Sequence, residues 1–277
     1  MKRVIVITGP TASGKSALAV RLAKEYGCDV ISADSRQIYR GIPIVTAQPT
    51  EEEMGGVRHH LIGHLPLDAY YSAAEFEQDA LRLIERQFST HDVAIVCGGS
   101  MLYVDALCYG IDNLPTIPDD FREELKREVE LKGTDWLIST LKLLDPDYYS
   151  RVDLKNIKRI FHAVEISLYA GKPYSSLLTG KKVRRPFEIE KRIIEMPREE
   201  LFSRINRRVD LMVESGLEEE ARSVYHLKGL NSLNTVGIKE MFAYFDGILD
   251  LKTAIERIKK NTRVFAKKQL TWLKKSS

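Results

Sequence analysis

Residues 9–16 read Gly-Pro-Thr-Ala-Ser-Gly-Lys-Ser; they follow the apolar, β-branched run Val4-Ile5-Val6-Ile7 and open a helically patterned stretch, Ser16–Lys24. This is the G-x-x-x-x-G-K-[ST] pattern in the context that gives it meaning, between a buried strand and a helix. The glycines let successive backbone N–H groups curl around a phosphate, and a helix start adds a partial positive charge of ~0.5 e. Gly9, Pro10, Thr11, Ala12, Ser13, Gly14, Lys15 and Ser16 are therefore candidate diphosphate ligands. Lys15 reaches the terminal phosphates, and the Ser16 hydroxyl is placed to ligate Mg²⁺. A chance match in a turn is the alternative, and the flanking strand and helix argue against it.

The next hundred residues keep this alternation. Asp29–Ala33 reads as a second strand ending at Asp34. Tyr71–Phe88 reads as a long helix with Ser72 as N-cap and Glu75 as its capping-box partner. Asp92–Cys97 is a third buried strand, closed by Gly98-Gly99-Ser100. Strand and helix in alternation predict an α/β fold, a P-loop core with a parallel sheet flanked by helices. After Leu114-Pro115-Thr116-Ile117-Pro118 the pattern becomes short, charged and helical up to about Tyr149. The expected organisation is a core of residues 1–111 and 153–277, with 112–152 as a helical insertion. Within the second stretch, Asn156–Tyr169 reads as an amphipathic helix and Phe187–Glu195 as a returning strand. Everything from Arg198 on is helical and ends in a basic helix carrying Trp272.

Composition narrows the function classes. Among 277 residues, 44% hydrophobic and 29% charged suit a chain that buries its own core, which excludes disorder as the main state. No apolar run approaches the ~20 residues of a membrane span, and Val4–Ile7 is too short for a secretory core of ~7–15, so a cytoplasmic protein without membrane contact is expected. Cys28, Cys97 and Cys108 are odd in number and unpaired in spacing, as reduced, buried thiols are. His59-His60 point in different directions and have no further ligand at metal spacing. The net charge of +3 is small, but residues 251–277 hold nine Lys/Arg against Glu256 alone, a local +8 that leaves −5 for residues 1–250. Such a segment is either a solvated helix face or a footprint for phosphates. Arg204, Arg207 and Arg208, at i, i+3 and i+4, form a second basic cluster, either a solvated face or an anion clamp.

Which phosphate ligand the loop takes is a separate question. A kinase or NTPase offers an acidic Mg²⁺ partner at the end of a later strand. Here that strand ends in Gly98-Gly99-Ser100, and the acid stands instead at the end of the second strand, in Asp34-Ser35-Arg36-Gln37-Ile38-Tyr39. The carboxyl ends of strands in an open parallel sheet line one crevice, so the phosphate loop, Asp34 and Ser100 are expected to converge. Spacing alone leaves Asp34 equally readable as a turn or cap residue. Gln37 adds an amide able to pair with an adenine edge.

These segments together resemble the bacterial tRNA dimethylallyltransferase (tRNA isopentenyltransferase) family along nearly the whole chain. The ordered set runs through Gly9–Ser16, Ser32–Tyr39, Thr46-Ala47-Gln48-Pro49-Thr50, His59-His60-Leu61-Ile62, Tyr71–Phe76, Gly98–Tyr103, Arg208-Val209-Asp210, Gly237-Ile238-Lys239-Glu240 and Asn261–Trp272. The phosphate loop alone is shared by many families; the ordered set is specific. The resemblance implies prenyl transfer from dimethylallyl diphosphate to the exocyclic amine of the adenosine beside the anticodon, at tRNA position 37. It also implies a P-loop core with a helical insertion, and a loop that holds diphosphate rather than ATP. That accounts for the missing later-strand carboxylate.

Carried over residue by residue, the resemblance implies that Lys15 and the loop amides bind diphosphate and Ser16 holds Mg²⁺. Ser100 and Arg208 would stabilise the leaving group from the other side, with Arg204 the alternative clamp. Asp34 would take a proton from, or hydrogen-bond, the adenine amine. Ser35, Arg36 and Gln37 would contact the RNA, and the target base would flip out of its stack to reach the pocket. Further RNA contacts are implied at Arg122, Lys158, Arg159 and His162. The family usually shows Gln, Arg and Arg at the last three places, and Thr where Ser100 stands, so altered anticodon-loop affinity is expected rather than lost chemistry. The implied partners are the tRNA anticodon stem-loop and dimethylallyl diphosphate, with a monomer expected. Two other readings remain open at this point: an adenylate isopentenyltransferase acting on free AMP, ADP or ATP, and a P-loop small-molecule kinase. A plain RNA-binding module is third, and it would have no use for Asp34.

Overall fold

The structure, a computed structural model, describes residues 1–276. Five strands form one sheet: β1 (Arg3–Thr8), β2 (Val30–Ser32), β3 (His59–His60), β4 (Val93–Cys97) and β5 (Glu188–Ile193). Their order is β3-β2-β4-β1-β5, and every neighbouring pair is parallel. β1 and β4 read as unbroken apolar runs because both of their faces are covered, and Val4–Ile7 and Val93–Cys97 are buried throughout. Their register pairs Ile5 with Ile95 and Ile7 with Cys97.

The chain divides into two compact units, residues 1–109 with 184–277, and residues 110–183. In the first, the helices Lys15–Tyr26, Ala73–Phe88 and Met101–Tyr109 follow β1, β3 and β4. Helix Ala73–Phe88 starts where its capping box fixes it: the Ser72 hydroxyl accepts from the Glu75 N–H at 3.2 Å, and the Glu75 carboxylate accepts from the Ser72 N–H at 2.6 Å. Ala73, Phe76, Ala80 and Ile84 bury one stripe of it, and Phe76 stacks on Tyr103 with ring centroids 4.4 Å apart. The stretch after β2 packs under the C-terminal helices. Ile38, Ile42 and Val45 share a core with Val209 of helix Arg198–Glu214, Met241 of helix Ile238–Phe245, and Ile258 of helix Leu251–Ser276. This cluster carries residues 34–46 to the side of helix Arg198–Glu214, and so builds the site.

The second unit has its own core, in which Leu125, Leu137 and Leu141 meet Ile160, Ala163 and Val164. Its end corrects the expected boundary at residue 152. Helix Ile157–Ala170 presents Ile160, Ala163 and Val164 at i, i+3 and i+4 to the preceding helices, so it belongs with them. Buried Asp145 ties the chain in again further on, accepting from the Ser175 N–H at 2.6 Å and the Tyr148 N–H at 2.9 Å. The three cysteines are buried thiols. His59 and His60 form the edge strand, with His60 Nε2 2.8 Å from Asp29. Among the described residues no His/Cys/Asp/Glu group could hold a metal, and no helix is long and apolar enough to cross a membrane.

Candidate active site

Three strand tips meet at one end of the sheet. Because β4 lies between β2 and β1, the loops after them are knitted together by backbone bonds. The Gly98 N–H donates to Ile7 O at 3.1 Å, the Ala33 N–H to Cys97 O at 2.8 Å, and the Ser100 N–H to Ala33 O at 3.2 Å. Gly98 is required by this knit, since a Cβ there would fall inside the Ala33 carbonyl. The phosphate loop is itself strained: Ala12 sits at φ 62°, and Gly14 at φ 89° caps the helix that Lys15 opens.

A cavity of about 320 Å³ opens on these loops. Thr11, Asp34, Ser35, Arg36, Ser100 and Arg208 line its polar part, and Val45, Ile205, Val209, Met212, Leu217 and Ile258 its apolar wall. Asp34 has both roles that its spacing left open. Its Oδ1 accepts the Arg36 N–H at 2.9 Å and the Gln37 N–H at 3.3 Å, as in an Asx-turn, while Oδ2 has no hydrogen-bond partner among the described residues. Ser100 Oγ accepts the Ser35 N–H at 2.7 Å and donates to Ser35 Oγ at 3.1 Å, which leaves the Ser35 hydroxyl hydrogen for a ligand. Arg208 Nη1 donates to Thr11 Oγ1 at 3.0 Å.

Electrostatics link the cluster. Burial pushes the Lys15 ammonium below the ordinary lysine value and Arg208 repels it further, while Cys97 and Asp34 act to raise it. Burial likewise lowers Arg208, against the pull of Asp34 and Glu53. Two cations thus face one carboxylate in a sheltered place, a net charge suited to an anion. Lys15 Nζ donates to Pro10 O at 2.7 Å. Ser16 is exposed on the first turn of its helix, and Ser13 is buried with its hydroxyl unpaired. The Ser16 hydroxyl is a hard oxygen of the kind Mg²⁺ takes beside phosphates and water.

The other expected residues divide. Arg208 reaches the cavity, whereas Arg204 is exposed and paired with Glu200 at 2.9 Å, and Arg207 is exposed. Gln37 does not line the cavity: its amide donates to Ala47 O at 2.7 Å and Thr46 O at 3.2 Å, holding the short helix Pro43–Thr46. Arg36 lines the cavity but spends Nη1 on the Asn231 and Ser232 carbonyls at 2.8 and 3.2 Å. In the second unit, Lys158 and Arg159 are exposed, and Arg122 and His162 both bond buried Glu165 at 3.0 Å. Burial acts to raise the Glu165 carboxyl, but the bonds from His162 and Arg122 outweigh it and hold the group below the usual range. Sequence reasoning missed Thr235, Lys239, Thr262 and Phe265 on the cavity wall. The spacing of Ile258, Thr262 and Phe265, i, i+4 and i+7 on one helix, was the available signal.

Comparison with known proteins places this geometry. A family model described as IPP transferase matches residues 37–276. The tRNA dimethylallyltransferase 1 of Bacteroides thetaiotaomicron is 49% identical over 275 residues, covering 99% of this chain and 89% of that protein. The crystal structure of a tRNA delta(2)-isopentenylpyrophosphate transferase from Staphylococcus epidermidis superposes with a TM-score of 0.69 at 34% identity, covering 99% of this chain and 90% of the other. A eukaryotic dimethylallyltransferase acting on tRNA gives 0.82 at 28% identity, over 99% and 70%. A match this long, in both sequence and fold, means that the chain belongs to the IPP transferase family.

Proposed function

We propose that this chain transfers a dimethylallyl group from dimethylallyl diphosphate to the exocyclic N6 amine of adenosine 37 in tRNA, releasing diphosphate. The observation that carries the reading is the two-faced cavity. Its cationic end, with Arg208 and Thr11 beside the phosphate loop, suits a diphosphate, and its apolar wall suits a five-carbon tail. Asp34 stands on the same cavity, with one carboxylate oxygen uncommitted. The adenine amine attacks C1 of the dimethylallyl group, the C1–O bond breaks, and diphosphate leaves with the electron pair. The N6 proton passes to Asp34 Oδ2. Lys15, the loop amides and Arg208 bind the leaving group as its charge grows, and Ser35 and Ser100 orient the acceptor. Ser16 would hold Mg²⁺, which would supply further neutralisation of that charge when bound.

Lys158 and Arg159, both exposed, would contact RNA phosphates, with Arg122 and His162 organised behind them by Glu165. The basic helix Leu251–Ser276 adds positive charge for the same partner. The test is to incubate the protein with labelled dimethylallyl diphosphate and either an anticodon stem-loop or AMP, followed by mass spectrometry of loop digests. Label in the stem-loop adenosine is expected; label in AMP alone, or phosphoryl transfer from ATP, overturns the reading.

A further inference from the structure

The basic C-terminal helix carries a buried polar side chain to which the sequence alone assigns no role. Gln269 is 3% exposed, on a stripe otherwise made of Ala254, Ile258, Ala266 and Leu273. A buried amide is costly unless its donors and acceptors are met. Here its two ends meet two different loops. Oε1 accepts the Thr11 N–H of the phosphate loop at 2.8 Å, and Nε2 donates to the Gly99 carbonyl at 2.9 Å, one residue before Ser100. Thr11 is held on its other side by Arg208, and it precedes the strained Ala12. Gly99 allows the close approach, because a Cβ there would collide with the Gln269 amide. Three residues on, Trp272 Nε1 donates to Asp105 Oδ2 at 2.8 Å, so the same helix also grips the helix that follows Ser100.

We infer that Gln269 is a positioning residue: its amide spans the leaving-group loop and the acceptor-side loop, fixing the distance between the diphosphate cradle and the Ser100–Ser35 pair. Transfer between two held partners depends steeply on their separation, since a misplacement of ~1 Å costs about a hundredfold. Gln269 touches neither substrate in this reading. It works by denying the two loops independent movement. It also commits the Thr11 N–H, so that amide is not one that faces a phosphate.

The inference rests on the proposed prenyl transfer, so wild-type transfer to the anticodon stem-loop is measured alongside. Its absence would fail that reading, whereas the comparisons below bear on Gln269 alone. Gln269→Met keeps the volume and deletes both bonds. Gln269→Glu keeps the acceptor for Thr11 and removes the donor to Gly99, and serves if the first variant folds poorly. Trp272→Phe removes the neighbouring clamp of the same helix and controls for helix docking. Melting temperature, kcat, donor KM and stem-loop Kd are measured for each. Both Gln269 variants are expected to lose roughly ten- to a hundredfold in kcat per folded molecule with stem-loop Kd unchanged. Trp272→Phe should keep kcat within about threefold even where its melting temperature falls as far. If the Gln269 variants keep wild-type kcat, or lose it only in step with stability as Trp272→Phe does, the residue is merely structural and the inference fails.

Discussion

Replacing Asp34 is the sharpest test of the chemistry, and the structure dictates which replacement to use. Alanine confounds two losses. Besides removing the proton acceptor, it strips the partner from the Arg36 and Gln37 N–H groups, and bonds to a charged group are worth ~1.5–3 kcal/mol. Asparagine separates them. Its amide oxygen takes the place of Oδ1 and keeps both N–H donors, and its NH₂ replaces only the uncommitted Oδ2. A positioned general base contributes ~10²–10⁴-fold, which at ~1.36 kcal/mol per tenfold is about 2.7–5.4 kcal/mol of barrier. Asp34→Asn is therefore expected to lower kcat by roughly 10²–10⁴, shift unfolding by less than ~1 kcal/mol, and leave stem-loop Kd within about threefold. The donor KM should not rise, because removing a carboxylate beside Lys15 and Arg208 leaves the cradle more positive. Single-turnover prenylation with saturating donor and stem-loop reads kcat, and urea unfolding reads stability. An Asp34→Asn variant within about threefold of wild-type turnover would refute the reasoning, because the group would then be a turn residue and nothing more.

Lys15→Met should abolish tight donor binding yet raise the melting temperature at neutral pH. The folded-state pKa of Lys15 lies below its unfolded value, so between the two the unfolded chain binds the extra proton and stability rises with pH; the variant should flatten that rise in pH-dependent melts. Gly98→Ala should cost about 3 kcal/mol or more in urea unfolding, because the added carbon collides with backbone at Ala33 rather than with a movable side chain. Glu165→Leu should destabilise the second unit by about 3 kcal/mol at neutral pH, because it removes the buried carboxylate that Arg122 and His162 both bond. In the wild type that contribution is lost as pH falls through the lowered Glu165 pKa, which acid titration of unfolding would follow. Lys158→Ala should weaken stem-loop binding about equally across sequences and shrink the salt slope of log Kd by less than ~1 unit, read from titrations at several salt concentrations.

The legible parts of this molecule are those whose physical cause is local. The phosphate loop is written in glycine spacing between an apolar run and a helical pattern, and the capping box of Ser72 and Glu75 needs only four consecutive residues. Strand order was another matter. Nothing in residues 3–8, 30–32 and 93–97 says that β4 lies between β2 and β1, yet this is what brings Asp34 and Ser100 beside the phosphate loop. Gln37 shows what residue type alone leaves open: an amide suits a base edge, but where its NH₂ donates here depends on the Thr46 and Ala47 carbonyls nine and ten residues away. The boundary at 152 failed for a related reason. A helix beginning at Ile157 carries no local mark of which unit it will pack against, and only its partners Leu137 and Leu141 decide.

The helix Leu251–Ser276 shows how one segment meets two demands that composition reports as one. Its excess of lysine and arginine, read alone, allowed a solvated face as readily as a phosphate footprint. The structure confines Ala254, Ile258, Ala266, Gln269 and Leu273 to the buried side, at intervals of three, four and eight residues. Lys259 and Thr262 are half-buried, while Lys260, Lys267, Lys268 and Lys274 remain exposed. An apolar stripe alone would dock such a helix, so a glutamine within it needs a reason, and its reason is that both of its bonds end on loops of the cavity. Ile258, Thr262 and Phe265 of the same helix line that cavity directly. A rigid helix holding basic charge outside and the two loops inside therefore makes surface and cavity parts of one body. Neutralising its exposed lysines should weaken RNA binding without changing kcat at saturation, whereas altering Gln269 should do the reverse.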